Sequence, residues 1–272
     1  MKIDFYNHCY PPEYLEKLRQ WGSGYEFSQD SSGMTVVKKN GAHFLSITPQ
    51  HVSPEQRISD MDRIGIDIQV LTLSNPNVYF STRKRNLTLA RITNDYFADL
   101  CQRYAHRFIG FIGFASVPLD DPEDAIEELH RSAKDLGLKG VVLGSNINGK
   151  HLHSKAFWPF YEEVNRLELP IIIHPMVPAY TEPMVEFSLV PLVGFLVDTT
   201  LSVAKVVFSG LFEKYPNLCL ILPHLGGVLP FLFERMDNGY RAYAECREHV
   251  RELPSDYLKK FYMIRFPSMG PP

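Results

Sequence analysis

Short β-branched apolar runs alternate along this chain with longer stretches whose apolar residues recur at the spacing of one helix face. Such alternation predicts repeated strand–helix units and a parallel sheet. The predicted strands are Lys2–Asn7, Asp67–Leu73, Phe108–Ala115, Gly140–Leu143, Pro170–His174 and Leu218–Pro223, each followed by turn residues. Pro54–Ile64 reads as a helix because Ile58, Met61 and Ile64 fall on one face. Further helices are predicted over Lys84–Tyr104, Pro122–Leu136, Phe157–Leu167 and Leu192–Tyr215. Asp120 and Asp121 ahead of Pro122 place an acidic cap beside a proline at the first helical turn, so a helix should begin there. Residues Trp21–Ser53 interrupt this rhythm with Gly, Ser, Asp and scattered aromatics and read as a long loop inserted after the first strand. In a parallel barrel the loops that follow strands carry the chemistry, so an insertion there either shapes a pocket or is plain surface elaboration.

Size and charge narrow the picture. A chain of 272 residues, 45% hydrophobic, suits one α/β domain spanning residues 1–272. A formal net charge of -3 lacks the basic excess that attracts a phosphate backbone, so nucleic acid is not an expected partner. The four cysteines, Cys9, Cys101, Cys219 and Cys246, form no CxxC pair and no disulfide framework, which fits a reducing cytoplasm. The strongest membrane candidate, Pro191–Phe212, carries Asp198 and Lys205, and reads instead as a buried amphipathic helix with no membrane partner.

The ten histidines carry most of the chemical information, since imidazole both ligates metals and moves protons near neutral pH. His8 follows the first predicted strand, His174 ends Ile171-Ile172-Ile173, and His224 ends Leu220-Ile221-Leu222-Pro223. A single strand-end histidine is commonly a hydrogen-bonded rim residue. Three on one rim predict a concave site able to hold a divalent ion such as zinc. His151 and His153 form an HxH pair that reads as a surface loop, and His106, His130 and His249 sit in or near charged helices and should face solvent. His43 and His51 are candidate lid residues.

Three blocks give the chain a family resemblance: Ile3-Asp4-Phe5-Tyr6-Asn7-His8, Ile172-Ile173-His174-Pro175-Met176 and Pro223-His224-Leu225-Gly226-Gly227. Arg57-Ile58-Ser59-Asp60-Met61-Asp62 and Phe208–Pro216 extend it over nearly the whole chain. The sequence resembles the amidohydrolase-2 group, which includes aminocarboxymuconate-semialdehyde decarboxylase and γ-resorcylate decarboxylase. The resemblance implies an α/β fold, a (β/α)8 TIM barrel of the metal-dependent hydrolase type, incomplete at strands seven and eight. It implies His8 and His174 as metal ligands, His224 as the group that moves a proton or activates water, and Arg57 as a contact for a substrate carboxylate. Arginine on a helix is also commonly a plain surface charge.

Two departures from the family pattern stand out. The first strand of the family ends in HxH or has Glu in place of the first His, whereas this chain has Tyr6. A phenol, with a pKa near ~10, must usually deprotonate to bind a metal well, so weak metal binding is expected. The family's strand-eight aspartate motif is missing, and the tail 263–272 looks unlike the expected strand and helix; a truncation or frameshift is the expectation, with an unclosed barrel prone to aggregate. The implied activity is metal-dependent decarboxylation, a carboxy-lyase reaction on a small carboxylated, aromatic-derived substrate. The alternatives are hydrolysis by the same metal-activated chemistry and an inactive truncated fragment, with homodimer formation left open.

Overall fold

The computed structural model describes residues 1–40, 42–105 and 110–264. The chain divides into two compact units, Met1–Gly140 and Val141–Pro272. The N-terminal unit runs β1 (Ile3–His8), α1 (Pro12–Trp21), β2 (Tyr25–Gln29), β3 (Thr35–Lys39), β4 (Ala42–Ile47), α2 (Pro49–Val52), α3 (Pro54–Ile64), β5 (Ile68–Thr72), α4 (Arg83–Arg103), β6 (Gly110–Gly113), β7 (Ala115–Ser116) and α5 (Pro122–His130). β1, β5 and β6 lie side by side and parallel, with Ile3 opposite Ile68 and Ile68 opposite Gly110. Their helices cover them: Tyr14, Leu18, Met61, Leu89 and Phe97 are buried, as are Val70 and Leu71 of β5.

The expected loop over Trp21–Ser53 folds differently. It contains an antiparallel sheet of β2, β3 and β4 followed by the short α2. Asp30 turns the first hairpin by accepting hydrogen bonds from the Ser32 and Met34 amides at 2.8 and 3.0 Å. Val37 is buried, and Tyr25 packs edge-on against Phe44 with ring centroids 5.3 Å apart. Strand alternation is hard to read there because polar residues occupy most positions and only a few side chains supply the apolar face.

The helix starts follow local chemistry. α3 occupies its expected span and buries Arg57, Ile58 and Met61, with the Ser53 hydroxyl accepting from the Gln56 amide at 3.2 Å. Asp121 caps α5 as expected, accepting from the Asp124 amide at 3.1 Å. The continuation expected to Leu136 is a π-helical turn over Arg131–Asp135. Buried Glu128 anchors this region, accepting from Asn94 Nδ2 at 2.7 Å and from Arg131 Nη2 at 2.8 Å.

The C-terminal unit runs β8 (Val141–Gly144), β9 (Asn146–Ile147), β10 (Lys150–His151), α6 (Trp158–Leu167), β11 (Ile171–His174), α7 (Phe195–Phe208), α8 (Leu211–Lys214), β12 (Leu220–Leu222), α9 (Leu229–Ala242) and β13 (Phe261–Met263). Four of its strands are parallel in the order β13-β12-β11-β8, with Ile171 opposite both Val141 and Leu220, and Leu220 opposite Phe261. Every residue of β8, β11 and β12 is buried, the mark of parallel strands covered on both faces. Met263, expected to begin an atypical tail, pairs with Leu222, and residues 265–272 of that tail lie outside the described residues.

The helix expected over Leu192–Tyr215 is broken at Ser209 and Gly210. Gly210 has φ +76°, and a Cβ there would meet the His249 carbonyl oxygen at 2.4 Å, so the close approach of that backbone requires glycine. The expected burial is also inverted in part. α7 buries Asp198, Thr199, Ser202, Val203 and Val206, while Val197 and Leu201, with Leu192 and Val193 just ahead, are exposed. By length and composition the stretch Glu186–Phe208 is apolar enough to cross a membrane, with a mean hydropathy of 1.7 in its best window.

Candidate active site

In the N-terminal unit the chemistry gathers at the end of β1. Two-residue periodicity puts Tyr6 and His8 on one face, where their rings meet edge to face with centroids 4.7 Å apart. Thr72 of the neighbouring β5 donates its hydroxyl to the Asn7 carbonyl at 3.0 Å, and its oxygen lies 3.3 Å from His8 Nδ1. With the hydroxyl proton committed, Nδ1 is the donor of that contact, and Nε2 is the basic nitrogen of His8. Burial, reinforced by Tyr10, pushes the Tyr6 phenol well above its ordinary pKa, so it stays protonated.

Arg57 is buried, and its Nη2 donates to the carbonyls of His8 and Gln50, both at 2.5 Å, while Nη1 donates to Gln69 Oε1 at 3.1 Å. These bonds tie α3 and α2 to the end of β1. The expected role for Arg57 is contact with a substrate carboxylate; the geometry shows a clamp on the backbone that carries His8. His51, an expected lid residue, accepts from the Thr48 amide at 3.0 Å and so closes the first turn of α2. The side chain of His43 and all of His106 lie outside the described residues.

In the C-terminal unit His174 ends β11 and His224 follows β12, the strand beside it. His174 is fully enclosed, and its Nδ1 is 2.8 Å from the Pro175 carbonyl. A carbonyl only accepts, so Nδ1 carries the proton and Nε2 the lone pair. Burial drives the His174 pKa down to about 4, against a partial rise from the Pro175 contact, and the nearby His224 lowers it further. Burial also lowers the pKa of His224. Both imidazoles are therefore neutral at pH 7. His224 and Leu225 adopt φ of 53° and 54°, an uncommon turn for residues with side chains. Gly227 completes it where a Cβ would meet the Leu196 carbonyl oxygen of α7 at 2.7 Å.

A polar latch beside His174 had no place among the expected site residues. The Ser145 amide donates to the His174 carbonyl and the Met176 amide to Ser145 Oγ, each at 2.8 Å. Ser145 in turn donates its hydroxyl to buried Asp198 of α7, which also accepts from Asn146 Nδ2 at 3.0 Å. The signal available in sequence was a carboxylate inside an apolar helix, which must find donors to be buried. His151 and His153, expected on a loop surface, are half-buried; His130, expected in solvent, is half-buried, and His249 is exposed.

A protein-family model described as Amidohydrolase matches residues 20–262. The chain belongs to the amidohydrolase family. Its family relatives include a 2-amino-3-carboxymuconate-6-semialdehyde decarboxylase from Dictyostelium discoideum, 32% identical over 97% of this chain and 74% of that enzyme. A gamma-resorcylate decarboxylase from Rhizobium radiobacter is 32% identical over 68% of this chain and 59% of that enzyme. Among solved structures, a 5-carboxyvanillate decarboxylase from Novosphingobium aromaticivorans, with bound manganese and 3-methoxy-4-hydroxy-5-nitrobenzoic acid, matches with a TM-score of 0.83 at 28% identity. That match covers 97% of this chain and 78% of the other. The fold is thus of the expected (β/α)8 class, in a family of enzymes whose members here are carboxy-lyases.

The family implies a divalent metal, and the donors present test that expectation. Among the described residues no group of three or more His, Cys, Asp or Glu side chains is arranged to hold a metal ion. His174 and His224 supply neutral imidazoles in one unit, and in the other His8 stands beside a phenol held protonated. The described residues therefore do not make a complete ligand set.

Proposed function

We propose that this chain is a carboxy-lyase that removes carbon dioxide from a small carboxylated compound derived from an aromatic ring. The observation that carries the reading is the pair of neutral imidazoles, buried His174 and half-buried His224, at the ends of adjacent parallel strands in a chain whose relatives are decarboxylases. Decarboxylation leaves the electron pair of the broken C–C bond on carbon, and that carbon must take up a proton. A half-buried imidazole with a lowered pKa suits this: neutral at pH 7, it takes a proton from a water or substrate hydroxyl in the site and, being the stronger acid once protonated, delivers it to that carbon. His224 is assigned that transfer. His174, which presents the Nε2 lone pair, is assigned to a divalent ion, and Arg57 is a positioning residue for the strand that carries His8.

Metal dependence belongs to the proposal, with zinc or manganese as the ion and weak retention because of the incomplete donor set. His8, the ligand implied in the N-terminal unit, is tested by its own alanine variant. A homodimer and a cytoplasmic location complete the reading, the latter resting on four free cysteines. The deciding experiment supplies gamma-resorcylate and 5-carboxyvanillate with zinc or manganese and follows carbon dioxide and the decarboxylated ring. Release from either compound, abolished in His224→Ala, supports the reading. A hydrolytic product without carbon dioxide, or equal turnover by His224→Ala, overturns it.

A further inference from the structure

A groove of about 520 Å³ lies in the C-terminal unit, and neither His174 nor His224 lines it. Its floor is apolar, made by Leu201, Ala204 and Phe208 on α7. Its rim is basic, carrying His153, Lys155, Lys205 and His249. Of this rim His249 is already paired, its Nε2 3.7 Å from Glu248 Oε1, which leaves Lys155 and Lys205 as the cations that line the groove. Lys155 rests over the Trp158 ring, with Nζ 3.2 Å from its centroid, and Lys205 is half-buried.

His153 lines the groove beside the lysines, its Nδ1 enclosed by protein and without a hydrogen-bond partner. Burial lowers the pKa of His153, and Lys205, His151 and Lys155 lower it further, so positive charge converges here. Carboxylates lie near the cluster: Glu248 Oε1 is 3.7 Å from His249 Nε2, and Asp198, already engaged by Ser145 and Asn146, acts on His151. Lys155 and Lys205 above an apolar floor match a ligand with a flat apolar body and one anionic end.

We propose that this groove is a binding site for a small aromatic carboxylate, separate from the candidate active site. The ring lies on Leu201, Ala204 and Phe208, and the carboxylate meets Lys205 and Lys155. Fixed lysines in a partly desolvated groove hold such an anion better than a fully exposed lysine pair, because less water competes for the charge.

Calorimetric titration of the full chain with benzoate tests the site in a His174→Ala background, which removes the ion-binding imidazole of the candidate active site. Benzoate binding is expected to persist there, to weaken about tenfold with Lys205→Gln, and to vanish with Ala204→Trp, which fills the floor. Lys205→Gln retains most of the side-chain stem and reports on charge even where Ala204→Trp fails to fold. Inorganic phosphate and benzyl alcohol, each carrying half of the recognised chemistry, are expected to bind more weakly than benzoate. No benzoate binding in the His174→Ala background, binding unchanged by Lys205→Gln, or phosphate binding as tightly as benzoate overturns the proposal.

Discussion

Tyr6 and His8 stand two residues apart on the same face of β1, their rings 4.7 Å apart and nearly perpendicular. The phenol thus fills a position from which an imidazole would present a second nitrogen beside His8. Replacing Tyr6 by His should raise affinity for zinc or manganese by about tenfold, equivalent to ~1.4 kcal/mol. Competition titration against a chelating dye measures it. An affinity equal to wild type would show that the end of β1 takes no part in holding the ion.

His174 makes stability depend on pH in a predictable direction. Its folded pKa of about 4 lies below the 6.5 of an unperturbed imidazole, so the unfolded chain takes up a proton first as pH falls. The contribution is whole above pH 6.5 and is lost on going down through pH 4, for a total on the order of a few kcal/mol. His224 and His51, also lowered, act in the same direction. Urea unfolding between pH 7.5 and 4.5 should show a smaller loss in His174→Gln than in wild type. Parallel losses would remove His174 from the account.

Ser145 bonds three partners at once, so Ser145→Ala should cost about 1–3 kcal/mol, because the Met176 amide and Asp198 both lose a bond. Asp198→Asn should cost a similar amount, and the double variant less than the two together, since both act through one contact. Denaturant midpoints of the three variants test this coupling. Additive losses would mean that the latch is not a unit.

Glu128 is fully buried, and it accepts from Asn94, Arg131 and Ser132. Removing it strands buried Asn94 and Ser132, while the part-exposed Arg131 keeps Asp95, so Glu128→Ala should destabilise the chain by about 1–3 kcal/mol. Salt should change that difference little, since the carboxylate is shielded from solvent. A cost under ~1 kcal/mol, typical of a surface pair, would contradict this.

Much of the chain was legible from local signals. Apolar runs ending in His174 and Pro223 marked parallel strands, because strands buried on both faces must be apolar throughout. Asp121-Pro122 marked a helix start, because a cap and a proline act within one turn, and the spacing of Ile58, Met61 and Ile64 marked the helix over Pro54–Ile64. Tyr6 and His8 were paired by the family's HxH pattern, and the two-residue period of a strand is why their rings share a face. What the sequence could not decide depended on residues distant along the chain. β2, β3 and β4 needed their cross-strand partners to become a sheet, and β13 is too short to be recognised without β12 beside it. Arg57 carries the same charge on a helix surface or in a clamp, and only the nearness of the His8 and Gln50 carbonyls assigns it to the latter. Asp198 likewise gains its partners from β8 and the residues just after it, which tertiary packing brings to α7. Periodicity and capping act over a few residues and can be read from order alone, whereas burial, pKa and the direction of a hydrogen bond exist only once separate segments have met.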